Sequence, residues 1–479
     1  MLTFDVRIYA IEIRQGRPKP YRVRWRVGTK KHSESYTVKA QADGRRSQLL
    51  EARRKGEQFD TDEGLPTSEL RERNSVTWFE HAVDYAQMKW PHASAKHRAS
   101  IAETLATVTP VWTTATCRQP KKTLRLALYA WAFRMVRNPD PNAEDKFLPR
   151  MKTEDPPPDI AAALAWIAKS SLPLTDVARP EHVRKGLAAV STKLNGQKAA
   201  ENTTRRKRTV LSNAFRYALE RDRLDADPLK RVDWAPPATD DEVDFRFVPN
   251  TEQVRRLLEG VRRQGDRGEH LVAFFGCLYY AAMRPGEIAA LRSTDCVLPT
   301  TDGGWGELLL AENRPEVGSG WTDDGTPYDK RGLKRRARKS TRPVPIPPVL
   351  VHLLQEHRKR YGTAPDGRLF RAAQGGRVRS TEYCEVWKQA REAALSPEEA
   401  ASPLAQRPYA LRHAGVSLWI QAGVDPPEVA RRAGHSLTVL YRIYAKVLRG
   451  RETHANELIS AALQEPKALP EDSTLQSPR

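Results

Sequence analysis

The sequence predicts a multidomain protein that is mainly α with small β elements (α+β). An N-terminal β-sheet backed by a helix comes first, then a helical block, then a mixed α/β C-terminal domain. Three observations predict this. Residues 1–38 alternate apolar and charged with period two, residues 75–235 repeat apolar side chains at helical spacing, and beyond 244 helices are interrupted by two short β-like runs. At 479 residues the chain has room for about three globular units.

Charge narrows the function classes. Lys and Arg number 80 against 59 Asp and Glu, a formal charge of +21. Such an excess points towards a polyanion, with nucleic acid as the first candidate. The longest apolar run, Leu271 to Met283, spans 13 residues, short of the roughly 20 that cross a bilayer, and reads as a helix buried on all sides. Asp5 and Glu12 interrupt the N-terminus where a secretion signal needs an apolar core, so a cytoplasmic protein with no membrane segment is expected. Cys117, Cys277, Cys296 and Cys384 lie far apart without clustered histidines, which argues against zinc and against a disulfide framework. Neither a metal nor a cofactor is expected.

The first 50 residues hold 12 Lys/Arg against 4 Asp/Glu. Phe4, Val6 and Ile8 alternate, and then Tyr21, Val23, Trp25 and Val27 interleave with Arg22, Arg24 and Arg26. One face of that strand is apolar and the other is a row of guanidinium groups. Either it is a solvated outer face or it lies along a nucleic-acid groove, and side-by-side charges favour the groove. A helix over 42–57 backs a small three-stranded sheet, and acidic 57–72 reads as a linker. Helices are then expected over 77–89, 94–108, 121–136, 158–169 and 199–222. The last carries Val210, Leu211, Ala214, Phe215, Ala218 and Leu219 on one face, with Arg205, Arg206, Lys207 and Arg208 clustered at its start. The domain boundaries are 1–73, 74–235, a Pro/Asp-rich linker 236–243, 244–462, and a flexible tail 463–479. In the third domain Asn250 and Gln253 form a capping box for a helix over 251–263. Strands follow near 306–311 and 342–346.

Four short stretches in that domain carry chemistry. In Met283-Arg284-Pro285-Gly286-Glu287, Pro285 suits the first position of a helix, so Arg284 sits at a helix junction, free to present its donor fork to a phosphate or to pair with Glu287. Arg331 to Arg342 holds seven cations in 12 residues and no acid, among them Lys334, Arg335, Arg336, Arg338 and Lys339. It precedes the edge-like Pro343-Val344-Pro345-Ile346-Pro347, so a hairpin loop that contacts phosphate is expected. In Pro408-Tyr409-Ala410-Leu411-Arg412-His413 a helix begins whose Arg412 has buried neighbours, so its charge must be matched by an anion. Asp425 and Glu428 read as another capping box, Gly434 ends that short helix, and Ser436 caps the next, which pins His435 in a tight turn. Leu437, Leu440, Tyr441, Tyr444 and Leu448 then share one stripe, and for either tyrosine alone that reads first as core.

In order and spacing these stretches resemble the tyrosine recombinase (phage integrase) family: an Arg at a helix junction, a Lys in a β-hairpin, a His-x-x-Arg, and a Gly-His with a Tyr nine positions later. The matching residues are Arg284, Lys334, Tyr409/Arg412, Gly434-His435 and Tyr444. The resemblance covers about 244–462 and extends more weakly over the helical block and the basic sheet, which look like the family's core-binding and arm-type DNA-binding domains. Two departures stand out. Tyr409 occupies the position of the first His, and a phenol is a poor base at neutral pH. The family's lysine spacing falls on Arg336, leaving Lys334, here preferred, and Lys339 as neighbours.

The resemblance implies that Tyr444 attacks a DNA phosphate to give a 3′-phosphotyrosine and a free 5′-hydroxyl. Arg284, Arg412 and His435 would hold the phosphate oxygens, and Lys334 would protonate the leaving oxygen. It implies attachment sites in double-stranded DNA as substrate, a homotetramer on DNA, and an excision or directionality factor as a further partner. The expected role is integration and excision of a mobile element, a phage or integrative plasmid. The alternatives are a resolvase or type IB-like strand-passing enzyme, and a non-catalytic or regulatory DNA-binding protein on the same scaffold.

Overall fold

A computed structural model describes residues 1–73, 76–116, 120–237, 242–332 and 341–449, with five positions between 456 and 463. The chain divides into two compact units, Met1–Thr239 and Asp240–Arg479.

In the first unit Tyr21–Val27 is the central strand of a small antiparallel sheet. Lys30–Tyr36 pairs along one edge, while Val6–Ile8 and Glu12–Ile13 share the other, so the sheet has four strands where three were expected. Its alternation works as anticipated. Val23, Trp25 and Val27 face inward against Ala42, Leu49 and Ala52 of the helix Lys39–Arg54, and the intervening arginines face away. The acidic stretch 57–72 is not a free linker. Phe59–Asp60 pairs with Leu2–Thr3, Phe59 is fully buried, and the Trp25 indole N–H donates to the Gly64 carbonyl at 2.6 Å. Two apolar anchors, Phe59 and Leu65, outweigh the surrounding charge.

The helices that follow begin where their caps say. Thr77 and Glu80 close a capping box on Trp78–Lys89, and Ser94 caps Ala95–Val108. Trp78 packs edge-on against Trp112, ring centroids 4.5 Å apart, with Phe215 of the helix Glu201–Glu220 beside them. The helix expected over 121–136 stops early. Lys121–Ala127 passes into a π-helical turn, Leu128–Ala132, and Met135–Arg137 then forms a hairpin with Phe147–Pro149 that buries Met135. Leu174–Val177 and Pro180–Val190, both preceded or opened by proline, are helices that the apolar period did not reveal.

In the second unit the apolar run is a central helix, Gly265–Tyr280, whose residues from Leu271 to Tyr279 are all buried. Around it pack Thr251–Arg262, capped by Asn250 and Gln253 as expected, and the helices Pro348–Tyr361, Ser380–Ala394 and Ala410–Gln421. A three-stranded antiparallel sheet places Gly306–Leu310 between Arg342–Ile346 and Cys296–Val297. Pro426–Ala433 and Leu437–Arg449 close the unit. No helix among the described residues is long and apolar enough to cross a membrane.

The helix that carries Arg412 meets the central helix backbone to backbone. A Cβ at Gly415 would stand 2.0 Å from the Tyr279 carbonyl oxygen, so only glycine permits this approach. Gly415→Ala is expected to lower unfolding stability by about 1–3 kcal/mol through overpacking, measured by denaturant titration.

Candidate active site

The site is built around one buried carboxylate. Pro285 opens the short helix Pro285–Ile288 and Glu287 lies inside it, 2% exposed. Glu287 accepts from Arg284 Nη1 at 2.9 Å and from the Arg284 backbone N–H at 2.9 Å. It also accepts from Arg342 Nη1 and Nη2 at 3.2 and 2.8 Å. Burial alone pushes its pKa up, but Arg342, Arg284 and Arg412 reverse that and leave it at about 2. Arg284 Nη2 reaches on to the Gly434 carbonyl at 3.0 Å. Gly434 ends its helix in the left-handed region at φ 64°, and a Cβ there would lie 2.0 Å from Arg342 Nη1. Glycine is thus required twice, by the turn and by the guanidinium beneath it.

Arg412 is 1% exposed. The anion expected to match it is absent among the described residues. Instead its Nη1 donates to the Ala282 carbonyl and its Nη2 to the Ala433 carbonyl at 2.6 Å, with His435 Nε2 2.9 Å away. Three neutral acceptors orient the cation and leave its charge uncancelled. A guanidinium only donates, so His435 Nε2 must accept, and the proton of the neutral ring sits on Nδ1. That Nδ1–H is buried and has no acceptor among the described residues, and the same holds for Arg342 Nε. Burial, then Arg412 and Arg284, hold His435 neutral by lowering its pKa to about 3.

Tyr444 is buried completely, whereas Tyr441, on the same predicted stripe, is 51% exposed. The helix bends at Tyr444, φ −114° and ψ 22°. The Tyr444 hydroxyl lies 2.9 Å from His413 Nδ1, and the Tyr444 and His435 rings are 6.3 Å apart. Burial raises the phenol's pKa, so it is protonated. Next to the bend the Val243 N–H donates to the Ile443 carbonyl at 2.9 Å and Glu242 pairs with Lys446 at 3.1 Å. Tyr409 is half-exposed, its ring edge-on to His413 at 5.2 Å. The Asp425–Glu428 capping box does not form. Asp425 makes no side-chain cap, and Glu428 is drawn instead to Arg431 and Arg432.

The structure therefore brings Arg284, Arg412, His435, Tyr409 and Tyr444 together, and adds Arg342 and His413, which sequence reasoning did not single out. Both had signals. Arg342 opens the strand Arg342–Ile346, where alternate residues face inward with Val344 and Ile346. His413 lies one helical turn after Tyr409. Lys334, Arg335, Arg336, Arg338 and Lys339 lie outside the described residues. In the first unit Arg22, Arg24 and Arg26 share the outer sheet face, with Ser33, Glu12 and Asp5 as partners. Arg205 and Arg206 are exposed, and Arg208 stacks on Trp234 at 5.1 Å.

No family model matches the chain. The tyrosine recombinase XerC-like protein of Caldanaerobacter subterraneus subsp. tengcongensis is 22% identical over 291 residues, covering 56% of this chain and 68% of its own length. Among solved structures, the Tn1549 transposon integrase in complex with a circular intermediate DNA has a TM-score of 0.44 at 16% identity, over 61% of this chain and 90% of that one. A lambda integrase dimer bound to a COC′ core site has a TM-score of 0.47 at 13% identity, over 92% and 95% of the two chains.

Glu287→Gln removes the charge shared by two buried guanidiniums and is expected to cost about 3–5 kcal/mol at neutral pH. Because the folded pKa of Glu287 is depressed, its stabilisation is present above about 4.5 and is lost as pH falls towards about 2. Denaturant unfolding from pH 7 to pH 2 should show a shallower acid loss in the variant than in the wild type.

Proposed function

We propose that this chain is a tyrosine recombinase, a site-specific DNA recombinase that cleaves and rejoins a phosphodiester through Tyr444. The observation that carries the reading is a buried N–H at His435 Nδ1 without an acceptor among the described residues, beside three guanidiniums of which two, Arg284 and Arg342, share one carboxylate and the third, Arg412, has none. Such a pocket has donors and positive charge to spare, which suits the extra negative charge of a pentavalent phosphate. The phenol of Tyr444 in the same cluster supplies a nucleophile.

In this reading Arg284, whose side chain is 20% exposed, and Arg412 hold the non-bridging oxygens and His435 Nδ1–H donates a further bond. Oη attacks phosphorus, the 5′-oxygen leaves, and Lys334 protonates it. Transesterification conserves the bond, so no nucleotide is consumed. Tyr444 is covered in the free chain, and cleavage therefore follows a movement of the bent helix that lets a phosphate reach Oη. The arginine row of the N-terminal sheet and the cations Arg205, Arg206 and Arg208 are assigned to duplex DNA, as are Arg335, Arg336 and Arg338. The domain boundaries given above, a homotetramer on DNA, a directionality factor and the integration and excision of a mobile element complete the proposal. The non-catalytic alternative is favoured by Tyr409 in place of a histidine.

The test needs no known site. Tagged protein is incubated with fragmented DNA from the genome that encodes it, the mixture is denatured, and DNA that stays attached is sequenced. Wild type should carry one recurrent sequence at a cleaved junction, and Tyr444→Phe should carry none. Attachment that survives in Tyr444→Phe and vanishes in Tyr441→Phe moves the nucleophile to Tyr441, and no attachment by wild type favours the non-catalytic reading. Removing the His435 donor, His435→Ala, should slow adduct formation about 10²- to 10³-fold. Equilibrium binding to the recovered duplex should weaken with salt at a log–log slope of roughly −0.9 per phosphate neutralised.

A further inference from the structure

Nucleophilic attack by a protonated phenol leaves a proton to be placed, and Tyr409 cannot take it at neutral pH. We propose that His413 is a catalytic residue, the general base that accepts the Tyr444 proton through Nδ1. The proposal rests on the recombinase reading above and extends it to a residue outside the matched motif.

Geometry carries it. His413 Nδ1 is 2.9 Å from the oxygen of the fully buried Tyr444, within direct proton-transfer reach. The groups around the imidazole are Tyr409 and Arg412 on its own helix, Tyr444 on the last helix and His435 in the turn between helices. None is a carboxylate. Burial first, and then the Arg412 charge, lower the His413 pKa to about 4 and keep the ring neutral at physiological pH. A neutral imidazole has one bare nitrogen, and which one is set by its hydrogen bonds. With Nδ1 bare it accepts from the phenol O–H, and the ring proton is on Nε2. An incoming phosphate brings negative charge into a pocket of cations, which raises the basicity of His413 when it is needed.

The step balances. As the Oη–P bond forms, the phenol proton passes to Nδ1 and His413 becomes an imidazolium. As the P–O5′ bond breaks, the 5′-oxygen takes a proton from Lys334 or from water. In the reverse attack O5′ gives up its proton, and the imidazolium returns its own to the departing phenolate. His413 thereby restores at i+4 the proton handling that Tyr409 lacks at i, one helical turn apart on the same face.

The test uses the duplex recovered by adduct capture, in its normal form and with a bridging 5′-phosphorothiolate, a leaving group that needs no acid. His413→Gln keeps a polar side chain that can hydrogen-bond but cannot take up the proton. It should slow adduct formation by about 10² or more, and the phosphorothiolate should not restore the rate. The wild-type rate should fall on acidification as His413 protonates, and that limb should be missing in the variant, leaving the lower one of His435 and Glu287. Should His413→Gln cut within threefold of wild type, or faster, the bond merely holds a resting tyrosine and the proposal fails. Recovery on the phosphorothiolate would place His413 at the leaving group instead, which also overturns it. A readout without DNA guards against misfolding: histidine ¹⁵N spectra should show a bare, hydrogen-bonded Nδ1 in wild type that shifts in Tyr444→Phe, and a protonated Nδ1 sinks the assignment. If wild type forms no adduct at all, both readings fall; if it does and only His413→Gln is unaffected, this one falls alone.

Discussion

A single carboxylate organises the C-terminal unit. Glu287 binds two guanidiniums that come from a helix junction and from the first residue of a strand, 55 positions further on in the case of Arg342. Taking these charges from water costs several kcal/mol per ion, and only close, multiple hydrogen bonds offset it. Bidentate contact with Arg342 and a capping contact with Arg284 supply them. Once Glu287 is fixed, Arg284 has one hand on the Gly434 carbonyl, and Gly434 must lack a side chain because Arg342 lies beneath it.

Arg412 follows the opposite rule. It is oriented by two carbonyls and an imidazole, so its position is fixed while its charge is left for something else. The same contact dictates the His435 tautomer and leaves an N–H donor with no acceptor among the described residues. Neutral acceptors on a cation, and a carboxylate outnumbered by guanidiniums, give a pocket organised before an anion arrives. That is the arrangement from which electrostatic catalysis draws most of its effect.

Tyr444, the proposed nucleophile, is sheltered by the same packing. The Tyr444 ring shares an apolar cluster with Val243, Ile420, Val429 and Leu440, and the backbone next to it accepts from Val243 at the start of the unit. A buried, protonated phenol is inert towards stray electrophiles. The bend at Tyr444 is the point at which the helix has already given up regular geometry.

Much was legible from local rules. Period-two alternation marked the central strand, and caps at Thr77, Ser94 and Asn250 marked helix starts, because each depends on neighbours a few residues away. Arg284 before Pro285 and Gly434 before His435 were readable for the same reason. What failed was competition between partners: Glu428 went to Arg431 and Arg432 on its own helix rather than to its cap, and Phe59, paired with distant Thr3, drew an acidic stretch into the fold.

The sequence by itself determined where the capped helices begin, which strand face is charged, and the order of arginine, histidine and tyrosine along the chain, since spacing and turn chemistry are local. Only the tertiary structure decided that Glu287 is shared by Arg284 and Arg342, that Arg412 rests on carbonyls, and that His413 meets Tyr444 while Tyr441 faces away. Apart from Arg284 with Glu287, those are pairings between distant segments. A buried charge or phenol takes whatever partner the packing brings within hydrogen-bond reach, and no local pattern encodes that distance.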